Sequence, residues 1–334
     1  MSYVQPADLV DRLTAAGAAK TSYSTGATIL RAIMGGAILA LAAAFAVTVS
    51  TQTGQPLLGA LLFPVGFILL YLMGFDLLTG VFTLVPLAWL ARRDGVTLPA
   101  MLRNWGLVFL GNLIGAVAVA VLMAIYFTYG FATEPSAVGE AISEIGHGRT
   151  VGYAEYGAAG MLTLFVRGVL CNWMVSTGVV GAFMSDSMLG KIACMWMPVM
   201  LFFYMGFEHS IVNMFLFPSG LLLGADFTLL DYLVWNEIPT VVGNLVGGLT
   251  FVALPLFLAH RRHAAAPADV PADTEPAATS AAPGATVTSD ATSGASADPT
   301  ELRASSPAAP AAGSTADPSA DGPTETADLV GATR

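Results

Sequence analysis

Charge is what this sequence has least of. Only 11% of its 334 residues are Asp, Glu, Lys or Arg, against about a quarter in an ordinary soluble domain. With 55% hydrophobic residues, that leaves too little polar surface for a water-exposed fold, which argues against a soluble enzyme. Basic residues are scarcer still, 13 against 23 acidic ones, and a nucleic-acid binder needs the opposite balance. Cysteine is nearly absent. Cys171 and Cys194 lie in apolar segments without metal-ligand spacing and read as small buried hydrophobes rather than a disulfide or metal site. No nucleophile–base pair or ligand cluster stands out, so neither catalysis, cofactor nor metal is expected. The first 26 residues are polar and mixed, unlike a cleavable signal peptide. Aromatic residues are missing altogether from 264–334, which hold nine prolines and mostly Ala, Ser, Thr, Gly and Asp. Such a segment cannot bury enough apolar surface to offset its ordering entropy, so 264–334 is expected to be a disordered acidic tail.

The formal net charge of −10 is unevenly placed: −8 falls in 264–334 and −2 in 1–263. What fills 27–263 is a series of nearly uncharged runs. They read as spans at Ala27–Val49, Pro56–Phe75 continuing to Leu90, Asn104–Phe127, Ala158–Phe183, Ile192–Gly206 continuing to Leu223, and Ile238–Ala259. Each is long enough to cross an apolar layer of about 30 Å. The expected architecture is an all-α membrane protein with a six-helix transport domain at 27–263. Ahead of it, within an N-terminal cytoplasmic segment 1–26, Pro6–Ala19 places Leu9, Leu13 and Ala16 on one side. That segment reads either as an amphipathic helix on the membrane surface or as a solvated helix. Arg12, Lys20, Arg92, Arg93, Arg103, Lys191, Arg261 and Arg262 fall on one side of the spans. The other side has Arg149 among Glu134, Glu140, Glu144, Asp226, Asp231 and Glu237. This positive-inside pattern predicts both termini in the cytoplasm.

An internal repeat carries the most information. GFDLLT at Gly74–Thr79 recurs as GFEHS at Gly206–Ser210, and GNLIGA at Gly111–Ala116 recurs as GNLVGG at Gly243–Gly248. Both offsets are 132 residues, and Asn104 maps onto Asn236 at the same offset. Three spans per repeat invert one half against the other, the plan of channels and transporters with a path between halves. Glycine followed by Phe and a carboxylate breaks the second and fifth spans, and half-helix N-termini beyond the breaks would favour a small anion. His209 lies inside the second break, the only histidine at membrane depth, where an ionisable group is costly and faces the protein interior. Asp76 and Glu208 read as structural caps for the half-helix N–H groups. Asn112 and Asn244 read as helix-packing residues able to bond a broken neighbour. Arg167 reads as bonded to loop carbonyls. Phe63, Phe67, Phe202 and Phe207 read as packing residues first and a pore constriction second.

RGVLCNWMV at Arg167–Val175, GFEHSIVNMF at Gly206–Phe215, IPTVVGNLVGG at Ile238–Gly248 and FDLLTG at Phe75–Gly80 resemble the signature stretches of the formate/nitrite transporter family over about residues 5–262. The resemblance implies an aquaporin-like inverted repeat of three plus three helices and a homopentamer with one pore per protomer in the cell membrane. It also implies passage of small monovalent anions: formate, nitrite, hydrosulfide or short carboxylates. By the same resemblance His209 is the central pore histidine, with Thr79 and Asn244 its hydrogen-bonding neighbours. Leu77, Leu78, Phe63 and Phe202 are then apolar constrictions. Family members commonly carry a lysine sixteen positions before the asparagine of CNW; Tyr156 stands there, after Glu155. Either Arg149 substitutes from the loop, or anion capture works differently. A weak-acid anion crossing a dry constriction is easiest to move as its neutral acid, so protons are expected as partners alongside the bilayer. A channel for a small neutral solute such as ammonia, or a membrane scaffold acting through the acidic tail, are the competing readings.

Overall fold

The computed structural model describes residues 3–260. The tail 264–334, together with Arg261, Arg262 and His263, lies outside the described residues. The described chain is helical, and its nearest approach to a strand is one antiparallel bridge between Tyr3 and Ser185. Four helices are long and apolar enough to cross a membrane: α2 (Thr25–Thr53), α6 (Leu98–Phe127), α9 (Gly157–Phe183) and α12 (Leu229–His260). At 1.5 Å per residue the 29 residues of α2 reach about 43 Å. Shorter apolar helices fill the two remaining sequence spans. α3 (Pro56–Leu62) runs into α4 (Pro64–Leu72) through Phe63, whose own backbone is helical. Then come α5 (Leu78–Leu90), α10 (Met188–Tyr204) and α11 (Ser210–Leu222). The connections α7 (Ala137–Gly148) and α8 (Val151–Ala154) precede α9.

Helix starts follow short polar side chains. Ser24, Thr97, Ser136, Ser187 and Thr228 each accept from an amide of the first turn, satisfying one of the donors a helix leaves open. α12 is not a uniform α-helix, since Leu233–Glu237 and Leu249–Ala253 are π turns. These flank Asn244 and place Asn236 inside the first, and π turns recur at functional positions.

The repeated GNL glycines explain the central packing. Gly111 and Gly115 seat α6 against the backbone of α2 near Ile29 and Ile33, while Gly243 and Gly247 seat α12 against α9 at Phe165 and Val169. A Cβ at any of these would meet neighbouring backbone. Close approach through small residues is how apolar helices associate where no hydrophobic drive separates helix from lipid. Large apolar side chains such as Leu41, Leu58, Leu122, Leu162 and Leu201 remain exposed on the outer helix faces, an arrangement suited to lipid or to another subunit.

The N-terminal helix α1 (Pro6–Ser22) turns its apolar side to protein: Leu9 and Leu13 are buried, and Gly17 packs on the Leu84 carbonyl of α5. Polar ties hold its other side. Val4 N–H donates to the Met184 carbonyl at 2.9 Å, and Arg12 pairs with Asp186 at 2.5 Å. The Arg12 hydrogen bond holds the Asp186 carboxyl below the usual carboxylate range.

Candidate functional site

Two helix breaks, related by the 132-residue offset, build the centre of the molecule. α4 ends in a Schellman turn: Phe75 N–H reaches the Leu70 carbonyl (2.8 Å) and Gly74 N–H the Tyr71 carbonyl (3.1 Å). At the end of α10, Phe207 reaches Phe202 (3.1 Å) and Gly206 reaches Phe203 (3.1 Å) in the same pattern. The motif needs a left-handed residue, and Gly74 and Gly206 supply it at φ of 73° and 64°. The chain then runs through Asp76–Leu77 and Glu208–His209 before α5 and α11 begin. Extended backbone at Leu77 and His209 leaves the first amides of α5 and α11 in need of acceptors.

Asparagines more than 30 residues further along supply those acceptors. Asn112 Oδ1 accepts from Leu78 N–H (2.9 Å), while its Nδ2 donates to the carbonyls of Ala32 (2.7 Å) and Asp76 (2.9 Å). Asn244 Oδ1 accepts from Ser210 N–H (3.0 Å), and its Nδ2 donates to Gly168 (2.8 Å) and Glu208 (2.9 Å). One side chain thus ties each break to its new helix and to a neighbouring long helix. Asp76 and Glu208 do not serve as the caps the sequence led us to expect. Their side chains turn to cations and other donors, because a buried carboxylate loses less where it is paired.

Asp76 is paired with Lys20, and Arg31 Nε stands 3.5 Å from its other oxygen while Arg31 also donates to the Gly74 carbonyl. Glu208 accepts from Tyr153 OH (2.8 Å), Asn213 Nδ2 (2.9 Å) and Asn236 Nδ2 (3.3 Å), with Arg149 Nη1 at 3.5 Å. Arg167 donates to the same Tyr153 hydroxyl at 2.8 Å, so its contact is a tyrosine rather than the loop carbonyls expected. The repeat extends to the backbone. Asn104 donates to the carbonyl of Lys20 and Asn236 to that of Arg149, both at 3.0 Å. Sequence reading missed Lys20, Arg31 and Tyr153; Asn104 pairing with Asn236 at the repeat offset was the available signal.

His209 sits at the start of α11. Val212 N–H donates to its Nδ1 at 3.3 Å, which reserves Nδ1 as an acceptor and leaves the ring proton on Nε2. Nε2 lies 3.2 Å from Thr79 Oγ1, so residues at the N-termini of α5 and α11 meet. Asn172 braces the meeting point by donating to the carbonyls of Thr79 (3.2 Å) and Asn244 (2.6 Å). The ring of Phe202 stacks on His209 with centroids 5.4 Å apart, and Phe63 meets Phe202 edge-on at 5.7 Å. His209, Thr79, Phe202 and Phe63 therefore form one group. Asn244 reaches His209 only through the backbone of the residues on either side, its amide being fully used there. Leu77 and Leu78 are buried at the first break and do not line the cavity above the histidine.

That cavity, of about 110 Å³, is walled by apolar side chains including Phe202, Phe207, Val212 and Leu216; Arg149 and His209 are its only polar lining residues among the described ones. A water needs about 10–15 Å³ by this measure, so there is room for a small ion with a partial water shell. Among the described residues, Cys171 is buried with a free thiol and Cys194 is half-buried.

The sequence model of a family described as "Formate/nitrite transporter" matches residues 7–258. A "Probable formate transporter" of Methanothermobacter thermautotrophicus is 34% identical over 267 residues, covering 75% of this chain and 95% of that one. Among solved structures, a "Pentameric formate channel with formate bound" superposes with a TM-score of 0.59 at 26% identity, covering 71% of this chain and 98% of that chain. An "FNT family ion channel" gives a TM-score of 0.66 at 23% identity over 75% and 98%, a likeness of fold.

Proposed function

The chain belongs to the formate/nitrite transporter family, and from that premise we propose that it conducts formate, nitrite or a similar small weak-acid anion across the cell membrane, linked to protons through His209. It is a multi-pass membrane protein of an anion channel family, not an enzyme. The proposal extends to six spans in two inverted halves, with the α4–α5 and α10–α11 breaks at mid-membrane. It includes both termini in the cytoplasm and a homopentameric assembly, the latter supported by the solved pentameric formate channel.

The observation that carries this reading is the contact of His209 Nε2 with Thr79 Oγ1 beneath an apolar cavity. A bare anion in such a site costs many kcal/mol. An anion entering between Nε2 and Thr79 receives a hydrogen bond from each. We read the crossing as the neutral acid: the anion held by the Nε2–H and Thr79 donors takes its proton from the aqueous side, while His209, whose Nδ1 accepts from Val212, keeps its own. Phe202 and Phe63 on one side and Leu77 and Leu78 on the other then serve as apolar barriers that a neutral acid crosses more readily than an ion. Asn244 holds the break in place rather than touching the anion.

Proteoliposomes carrying His209→Phe test the proposal. Formate flux is expected to fall at least tenfold, about 1.4 kcal/mol of added barrier, and to lose its acceleration at acid pH. Undiminished flux with the same pH profile would overturn the role of His209. Absence of formate and nitrite flux from the unmodified protein would overturn the substrate class.

A further inference from the structure

The cavity above His209 holds one cationic side chain, and its circumstances are unusual. Arg149 stands 3.5 Å from Glu208, beyond the usual length of a charge-assisted hydrogen bond, about 2.7–2.9 Å. The carboxylate is satisfied by others: Tyr153 OH on one oxygen, Asn213 and Asn236 on the other. Arg167 reaches it through the Tyr153 hydroxyl. Two guanidinium groups therefore stand around one buried carboxylate, a local excess of one positive charge, and the carboxylate's hydrogen bonds are made by neutral groups. Arg149 is left as a cation at the cavity wall whose planar N–H edge is not committed to Glu208.

Resting on the proposed function, we infer that Arg149 is a specificity-determining residue that recognises anions by shape as well as charge. A guanidinium offers two parallel donors, matched by the two oxygens of a carboxylate or nitrite on one planar edge. A linear or spherical monovalent anion offers the fork only one acceptor atom and cannot pair each donor with its own, so its bonds are shared and bent. Arg149 thus favours formate, short carboxylates and nitrite over azide or a halide at the step before His209. Arg167 is a positioning residue: through Tyr153 it balances the Glu208 charge that would otherwise oppose the incoming anion. Apolar cavity walls strengthen both effects by keeping bulk water away from the pair.

Azide is the discriminating probe, because its conjugate acid is about as weak as formic acid while its shape is linear. Concentration-dependent uptake of formate and azide is measured in proteoliposomes with the unmodified protein, Arg149→Lys, Arg149→Gln and Arg167→Gln. Arg149→Lys keeps the charge and loses the fork, so half-saturation by formate should rise about tenfold, the loss of one charged hydrogen bond, while azide moves far less. Arg149→Gln and Arg167→Gln lower the positive charge, so both anions should weaken together. Equal shifts for formate and azide in Arg149→Lys, or no shift for either, would overturn the inference while leaving formate conduction in place. An unmodified protein that conducts neither anion would instead overturn the proposed function beneath it.

Discussion

Asn112 and Asn244 each make three hydrogen bonds with a single side chain, and all of their atoms are buried. The sequence presented them as packing residues able to bond a broken neighbour, but a lone asparagine does not announce which groups it reaches. Their bonds run to the breaks 34 to 36 residues earlier and to α2 or α9. Replacing either by Ala strands one amide and two carbonyls without water. Interhelical bonds in membranes average about 0.6 kcal/mol, but buried unsatisfied groups cost about 1–3 kcal/mol each; the second effect should dominate. Asn112→Ala and Asn244→Ala are each expected to destabilise by about 2–4 kcal/mol. Thermal unfolding in detergent should show midpoints several degrees lower. Asn244→Asp keeps the acceptor toward Ser210 but loses both donated bonds, so it should fare no better than Ala.

At the scale of elements, periodicity and composition carried most of the architecture, because apolar length is a local property. α2, α6, α9 and α12 overlap the uncharged runs, and left-handed Gly74 and Gly206 stand between α4 and α5 and between α10 and α11. What local sequence could not carry was the choice of partner. Asp76 and Glu208 stand beside the open amides of α5 and α11, so capping was the nearest inference, yet distant asparagines cap and the acids pair with Lys20 and with the Tyr153 and Arg149 group. Likewise α1 shows an apolar stripe, and only the fold reveals that α5 covers it. His209 touches Thr79 and Phe202, and Phe63 touches Phe202, while Leu77 and Leu78 are buried at the first break and Asn244 bonds the backbone on either side of His209. The helix seams yield their own prediction. Gly115→Leu and Gly247→Leu drive a side chain into the Ile33 and Val169 backbones, where overpacking costs about 1–3 kcal/mol or more. Both variants should unfold at lower temperature, whereas Gly106→Leu, where nothing lies within 4 Å of an added Cβ, should not.

For the whole molecule, the question is which charges an arriving anion feels. The formal −10 belongs largely to 264–334, and charge in solution is screened within about 8 Å at physiological salt. Each break, by contrast, gathers two cations on one buried carboxylate: Lys20 and Arg31 on Asp76, Arg149 and Arg167 around Glu208. Fixed charges at the two breaks should therefore govern capture, and the tail should not. Deleting 264–334 is expected to leave formate flux and its salt dependence unchanged; abolished function would favour a scaffold acting through the tail. Lys20→Gln and Arg149→Gln should instead raise half-saturation by formate and flatten its rise with ionic strength. With the proposed orientation Lys20 faces the cytoplasm and Arg149 the exterior, so the two effects should separate in inside-out and right-side-out vesicles. If both variants impaired uptake equally from either side, the two clusters would be acting on folding or on the central histidine rather than as separate capture sites.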